Sequence, residues 1–479
     1  MKRIVVAGGG IVAWSAAAAL RRHIPSLEVI VVTSPVPPDS LADRMVCTLP
    51  SIAGFHGDLG LIELDTLVRA QSGLRIGTLF EGWSKDRPSY VHAYGNHGAT
   101  LEGIAFHQLW LRANANGTPG PFDHFSAAAE LAREGRIGTG TMPSASIGYG
   151  LHLDLERYLG LMRDFALHLG ARDEPCRSAQ PKLRSEDGFI EALVLDGDRD
   201  ISADLFVDCT GPSASLRSAL DPSFEDWSSY LPCDRIAFDF DDGDRDPRIL
   251  DRVTAGSAGW RWVASTPSGT SSGMVYSSRY EVEGELPAGG QIQLKQGCRA
   301  EPWVRNCVAI GDSAVAVEPL EWTNLHLAHS QIDRLVSMMP GPDCAPVELR
   351  EYNRQCSDEA RRVRDFLCMH YVTARREEPF WKDSAKRALP RSLEHSLSLF
   401  AERGRLPYYE EETFSRDSWV AVLFGQGFEP RRTDPLADLL SLEQVKSELA
   451  RQSEMIRSFV AAQPSYLDYL TNPRQRGAQ

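Results

Sequence analysis

The sequence predicts an α/β fold, and three observations predict it. Residues 3–7 are a short apolar run that passes directly into Gly8-Gly9-Gly10-Ile11-Val12-Ala13 and then into an alanine-rich stretch from Trp14 to Leu20. Two later apolar runs also end on glycine, residues 203–211 and 307–311. From about residue 345 the apolar residues recur at helical spacing. Together they describe a Rossmann-like nucleotide-binding domain, an inserted β-sheet region and a helical C-terminal region.

The first element reads as a buried strand, and strand, G-x-G-x-x-A and helix follow in the order a dinucleotide site requires. Gly8 permits the tight turn, Gly10 lets a pyrophosphate approach the backbone, and Ala13 keeps the helix close to the strand. The helix N-terminus supplies N–H donors. A second strand, Val29-Ile30-Val31-Val32, ends in Thr33-Ser34-Pro35, where an acid would hold the ribose. Residues 96–145, rich in Gly, Ala, Ser and Thr, read as a lid or partly mobile loop. Ala203–Gly211 is a strand running into a turn at Gly211, and Cys307–Ala314 is another, with Gly311 and Asp312 at its turn and a helix from about Leu325. Three such turns spread over 300 residues favour a flavoprotein whose FAD-binding domain is interrupted by substrate-domain strands. A simple NAD dehydrogenase would keep its nucleotide contacts closer together. Gly8, Gly10, Ala13, Gly211, Gly311 and Asp312 are therefore the candidate cofactor-binding residues.

The expected division is an FAD-binding domain over 1–340, interrupted at about 80–200 and 230–300, and a mainly helical substrate-side region over 341–479. Within the latter, Tyr408-Tyr409 and Glu410-Glu411-Glu412 read as an exposed acidic turn or as the lining of a substrate entrance. Ser441-Leu442-Glu443-Gln444 is a capping box. The face Leu442, Val445, Leu449, Ile456, Phe459 that follows is expected to pack against the FAD domain.

Composition excludes several classes of function. A net charge of −14 argues against nucleic acid, whose phosphates need clustered Lys and Arg. The nine cysteines are scattered, with no C-x-x-C pair and no metal-ligand spacing, which fits a reducing cytoplasm. No run of about 20 apolar residues is present to span a membrane. The Asn116-Gly117-Thr118 sequon is expected to be idle. Only seven of the 51 basic residues are lysine, leaving 44 arginines.

Beyond these local readings, the chain resembles the flavin-dependent tryptophan halogenases along nearly its whole length. The family's GGGTAGW start is similar to Gly8–Trp14, its F-H-x-x-W-L-R segment to Phe106–Arg112, and its D-L-F-I-D-C-S-G strand to Asp204–Gly211. Its W-x-W-x-I-P signature resembles Trp260–Ser265, and G-x-V-Y-S-S resembles Gly273–Ser278. The P-L-E-S-T-G halide loop is similar to Pro319-Leu320-Glu321-Trp322-Thr323-Asn324. His370-Tyr371, Arg375, Phe380-Trp381, Ser418-Trp419 and Gly425-Gln426-Gly427 resemble the C-terminal pattern.

The resemblance implies a reaction and its parts. FADH2 supplied by a separate flavin reductase reacts with oxygen to a C4a-hydroperoxide, which oxidises a halide, and the hypohalous acid reaches an indole- or tryptophan-like aromatic through a tunnel. Trp260 and Trp262 would be the wall between flavin and substrate. Glu321 would take the proton lost by the ring, with Thr323 and Asn324 at the halide. Asn324 replaces a glycine there, an exchange that Asn's tolerance of left-handed angles would ease. The family's catalytic lysine, eight residues before a tryptophan, corresponds to Arg75 before Trp83. A guanidinium keeps the charge but cannot become the neutral amine that forms a chloramine. Lys85, past Trp83 in a polar turn, is the alternative lysine. The flavin strap also departs: Arg44–Pro50 lacks the family's two glycines and its glutamate. A halogenase, monomeric or homodimeric, is thus expected, with a non-halogenating FAD-dependent monooxygenase or an inactive partner protein as alternatives.

Overall fold

The computed structural model describes residues 1–117, 119–139, 142, 145–243 and 245–471, so the Thr118 of the sequon lies outside the described residues. The chain divides into two compact units. The first holds residues 1–72, 153–236 and 291–364, and the second holds 73–152, 237–290 and 365–479. Residues 153–200 therefore belong to the first unit, although they were expected in the insertion, and so do 341–364 of the expected C-terminal region.

The first unit is built on a six-stranded sheet in the order Trp303–Val304, Cys307–Ala309, Leu205–Asp208, Arg3–Ala7, Glu28–Thr33, Arg172–Pro175. All neighbours are parallel except the short first strand. The helix Ile11–His23 has ten consecutive buried residues, and it packs against the helices Leu155–His168 and Asn324–Ser337. Small alanines on this helix allow the close packing. Val5, Ala7, Ile30, Val32 and Phe206 pack with Ile190, Leu193 and Leu195 of the antiparallel strands 179–202. A parallel sheet covered in this way is apolar nearly throughout, which is why its strands read as continuous apolar runs.

The second unit is organised around the strands Arg235–Asp241, Gly269–Tyr276, Gly259–Thr266, Leu250–Ala255, Gly77–Glu81 and Ser89–Ala93, in that order across the sheet. Leu250–Ala255 runs antiparallel to Gly259–Thr266 and parallel to Gly77–Glu81. Among its described residues, the 96–145 region is loop only in part. It forms the helices Phe106–Asn114 and Ala127–Arg133 with a 3₁₀ turn between them, and Phe106, Trp110, Phe122 and Phe125 are buried. The capping box at Ser441 and Gln444 forms as expected. The helix Leu442–Ala461 that it starts packs, however, on Phe106–Asn114 and Ala127–Arg133 of its own unit, so its apolar face is spent there.

Candidate active site

The three strands that end on glycine are neighbours, in the order Cys307–Ala309, Leu205–Asp208, Arg3–Ala7. Parallel strands bring their carboxyl ends to one edge, so turns some 300 residues apart become one cradle, where nucleotides bind in open α/β sheets. Gly8 has φ +141°, and a Cβ there would meet the Cys209 carbonyl oxygen at 2.5 Å. Gly211 and Gly311 also have positive φ, +82° and +66°. The Gly311 N–H donates to Gln331 Oε1 at 2.8 Å, and Ala13 is fully buried in the first helix. These residues fit a dinucleotide at the level of backbone geometry.

The cradle also holds two carboxyls. Asp312 is buried, and its Oδ2 accepts from the Ala42 N–H at 2.7 Å. Asp43, which sequence reasoning passed over, accepts the Val12 N–H at 2.9 Å and so caps the first helix from a distant turn. Burial raises the Asp43 carboxyl, and burial together with Asp43 raises that of Asp312 well above the ordinary range. At the end of the second strand, where an acid is missing, Thr33 Oγ1 donates to Asp173 Oδ1 at 2.6 Å.

Pro319–Asn324 is the second part of the first unit's site. Glu321 and Trp322 are buried, and both take left-handed backbone, φ 64° and φ 60°. Consecutive non-glycine residues in this region cost of order 1–3 kcal/mol each and gather at functional sites. Asn324 is the first residue of the helix Asn324–Ser337, so the left-handed angle expected of it falls instead on Glu321 and Trp322. Asn324 Nδ2 donates to the Val317 carbonyl at 2.8 Å. Its Oδ1 and the Thr323 hydroxyl are buried without a hydrogen-bond partner. An orphaned hydroxyl at the start of a 14-residue helix, whose first N–H groups lack intrahelical acceptors, suits a small anion.

In the second unit, Arg75 ends the strand Gly73–Arg75 and is fully buried. Its Nη2 and Nε reach the two oxygens of Asp251 at 2.5 and 3.1 Å, and Nη2 also donates to Thr78 Oγ1 at 3.0 Å. Tyr94 hydroxyl accepts from Nη1, and the guanidinium lies 5.0 Å from the Tyr94 ring centroid. His152 Nε2 lies 2.6 Å from Asp251 Oδ1. Burial alone would raise the Asp251 carboxyl, but Arg75 and His152 hold it below the usual carboxylate range. Two nitrogens of Arg75 thus meet a buried anion while the others meet neutral oxygens, the setting that suits a planar, permanently charged fork. Asp251 escaped sequence reasoning because nothing near it in the chain marks it as a partner of Arg75. Lys85 pairs with Glu377 at 2.9 Å, with its side chain 62% exposed.

Asp251 shares its strand with Val253 and Ala255, which stand opposite Trp262 and Trp260. The two tryptophans are buried, with ring centroids 5.8 Å apart and planes at 48°. Trp260 Nε1 donates to Tyr371 hydroxyl at 2.9 Å. Gly273 faces Trp262 across the strands, and a Cβ there would fall 1.9 Å from the indole. Further along the unit, a cavity of about 300 Å³ is bounded by Tyr408, Tyr409, Glu410, Glu412, Phe414 and Trp419.

A family model described as tryptophan halogenase matches residues 3–441. The chain belongs to that family. BrvH, a flavin-dependent halogenase from Brevundimonas sp. BAL3, superposes with a TM-score of 0.90 at 32% identity, over 98% of this chain and 99% of that one. Xcc4156, a flavin-dependent halogenase from Xanthomonas campestris, gives 0.91 at 32% identity over 98% of each chain. The tryptophan 6-halogenase SttH of Streptomyces toxytricini is 25% identical over 99% of this chain and 98% of its own length. The match runs through both units, so the tryptophan halogenase fold accounts for the interrupted sheets as well as for the cradle. No helix among the described residues is long and apolar enough to cross a membrane.

Proposed function

We propose that the protein is an FAD-dependent halogenase that oxidises a halide and halogenates an indole-like aromatic, with reduced flavin delivered by a separate reductase. The observation that carries this reading is the Pro319–Asn324 loop. It holds a buried acid, Glu321, on left-handed backbone two residues before an orphaned Thr323 hydroxyl at a helix N-terminus. Bound at the cradle, reduced flavin supplies with oxygen the two-electron oxidation of the halide. Gly8, Gly10, Gly211, Gly311 and Asp312 are the residues that would hold it. Thr323 Oγ1–H and the amide of Asn324 orient the halide, and Glu321 accepts the proton that leaves the ring carbon. Trp260 and Trp262 form a rigid apolar wall, held by the Tyr371 hydroxyl and by close packing on Gly273. The cavity at Tyr408 and Trp419 has the size and aromatic lining that an indole-sized substrate requires. None of the nine cysteines is joined in a disulfide, as a cytoplasmic enzyme would keep them.

The test is incubation of the purified protein with FAD, a flavin reductase, NADH, bromide and a panel of indoles. Brominated product is expected, and Glu321→Gln should lower its rate by about 10²–10⁴ without loss of folded protein, as removal of a general base does. Absence of product across the panel would overturn the reading.

The fixing of Arg75 by Asp251 favours a second reading, an FAD-dependent oxidoreductase that does not halogenate. Where the family pattern has a lysine, this chain has a cation paired through two nitrogens with a buried carboxylate. Halide-independent oxygen incorporation into an aromatic substrate would support it, and strict halide dependence would remove it.

A further inference from the structure

One turn of the first unit touches the cradle at Gly10, Gly211 and Asp312. The Asp43 carboxylate lies where a Cβ on Gly10 would sit, 2.3 Å from the ideal position, and it takes the Val12 N–H. The Pro37 ring and the Ser40 hydroxyl lie 3.1 and 3.4 Å from the Cβ position of Gly211. The Ala42 N–H is given to Asp312. Ser40 Oγ bridges the two acids, 2.9 Å from Asp43 Oδ2 and 3.4 Å from Asp312 Oδ2. The turn is stapled to itself: Arg44 donates through Nε to the Pro37 carbonyl at 2.9 Å and through Nη2 to that of Val36 at 3.0 Å.

From this we infer that the Pro37–Arg44 turn is a plug, with Asp43 acting as an internal anion that occupies the pyrophosphate position on the first helix. The inference rests on the reading of the cradle as a flavin nucleotide site. A helix N-terminus attracts one anion well, and a second anion beside it meets repulsion in a poorly screened interior. A carboxylate bound there must leave before a pyrophosphate binds. Asp43 is therefore an affinity-setting residue for the cofactor: the chain binds flavin by exchanging an intramolecular cap for an external one. Opening of the turn would also uncover Gly211 and Asp312 together, since the same residues cover all three.

Oxidised FAD and riboflavin, which has no phosphate, serve as probes in fluorescence titrations of the wild type, Asp43→Asn and Asp43→Gly. Both variants are expected to bind FAD about tenfold or more tightly than wild type, from removal of a charge at a helix N-terminus. Riboflavin affinity should stay within experimental error. Equal or weaker FAD binding by the folded variants overturns the plug, and so does an equal gain for riboflavin, which would report general loosening. If wild type and variants all fail to bind FAD, the flavin reading falls with it. Tight and unchanged FAD binding sinks only the plug. A second measurement needs no variant: hydrogen exchange of wild-type residues 40–46 should speed up when FAD is added, and retained protection would overturn the inference.

Discussion

Arg75 shows how one side chain can keep a family's charge at a position and change what that charge does. A lysine at its place would present a single mobile ammonium. The guanidinium instead spans Asp251, Thr78 and Tyr94 at once, through three of its nitrogens. Both partners are fully buried, so the pair exchanges hydration for hydrogen bonds, and removal of one member strands the other. Asp251→Ala is expected to destabilise the protein by about 3–5 kcal/mol in chemical denaturation, the range for an uncompensated buried charge. A loss below about 1 kcal/mol would show that the pair is solvated. The scarcity of lysine across the chain, seven against 44 arginines, is the compositional setting of the exchange. Asp251 and His152 give the structural setting.

At the scale of elements, two short segments carry stored constraint. Glu321 and Trp322 hold left-handed angles inside a buried loop that leads directly into a helix, so the backbone there is fixed by its surroundings and not by residue preference. The Trp260–Trp262 strand is fixed by its neighbour: Gly273 leaves room for one indole and no more. Gly273→Ala places a methyl inside the Trp262 ring, within a strand whose backbone is hydrogen-bonded on both sides. It is expected to cost about 1–3 kcal/mol by overpacking, read as a lower denaturation midpoint with an altered near-ultraviolet signal from the indoles. An unchanged midpoint and spectrum would show that the tryptophan moves freely.

At the scale of the whole molecule, buried carboxyls of two kinds set the response to acid. Asp251 is held low by Arg75 and His152 against its burial. Glu359, paired with His326 and Arg334, is likewise pulled down against burial, to about 2. A carboxyl lowered in the folded state contributes stability that is present above its unfolded value, near about 4, and that is lost as pH falls toward the folded value. Asp43 and Asp312 are raised, so their contribution has the opposite sign, largest below about pH 4 and fading as pH rises. The lowered pair is tied into ion pairs and is expected to dominate, so thermal stability should fall progressively between about pH 5 and pH 2. A melting temperature that is flat or rising over that window would contradict this balance.

The sequence by itself determined the features that depend on near neighbours or on a strict pattern. The strand–glycine–helix turn at Gly8 to Ala13, the two later glycine turns, the capping box at Ser441 and the tryptophan pair were all legible, because period, spacing and turn chemistry act over a few residues. The composition of 96–145 misled in part, since Ala113, Ala127, Ala128 and Ala129 are buried in helices and Phe106, Trp110 and Phe122 are buried with them. Tertiary structure alone decided which charges meet. Asp251 is 176 residues from Arg75, and Asp43 is 31 residues from Val12, whose N–H it takes. A buried charge is stable only with a partner brought to it by the fold, and no local pattern names that partner.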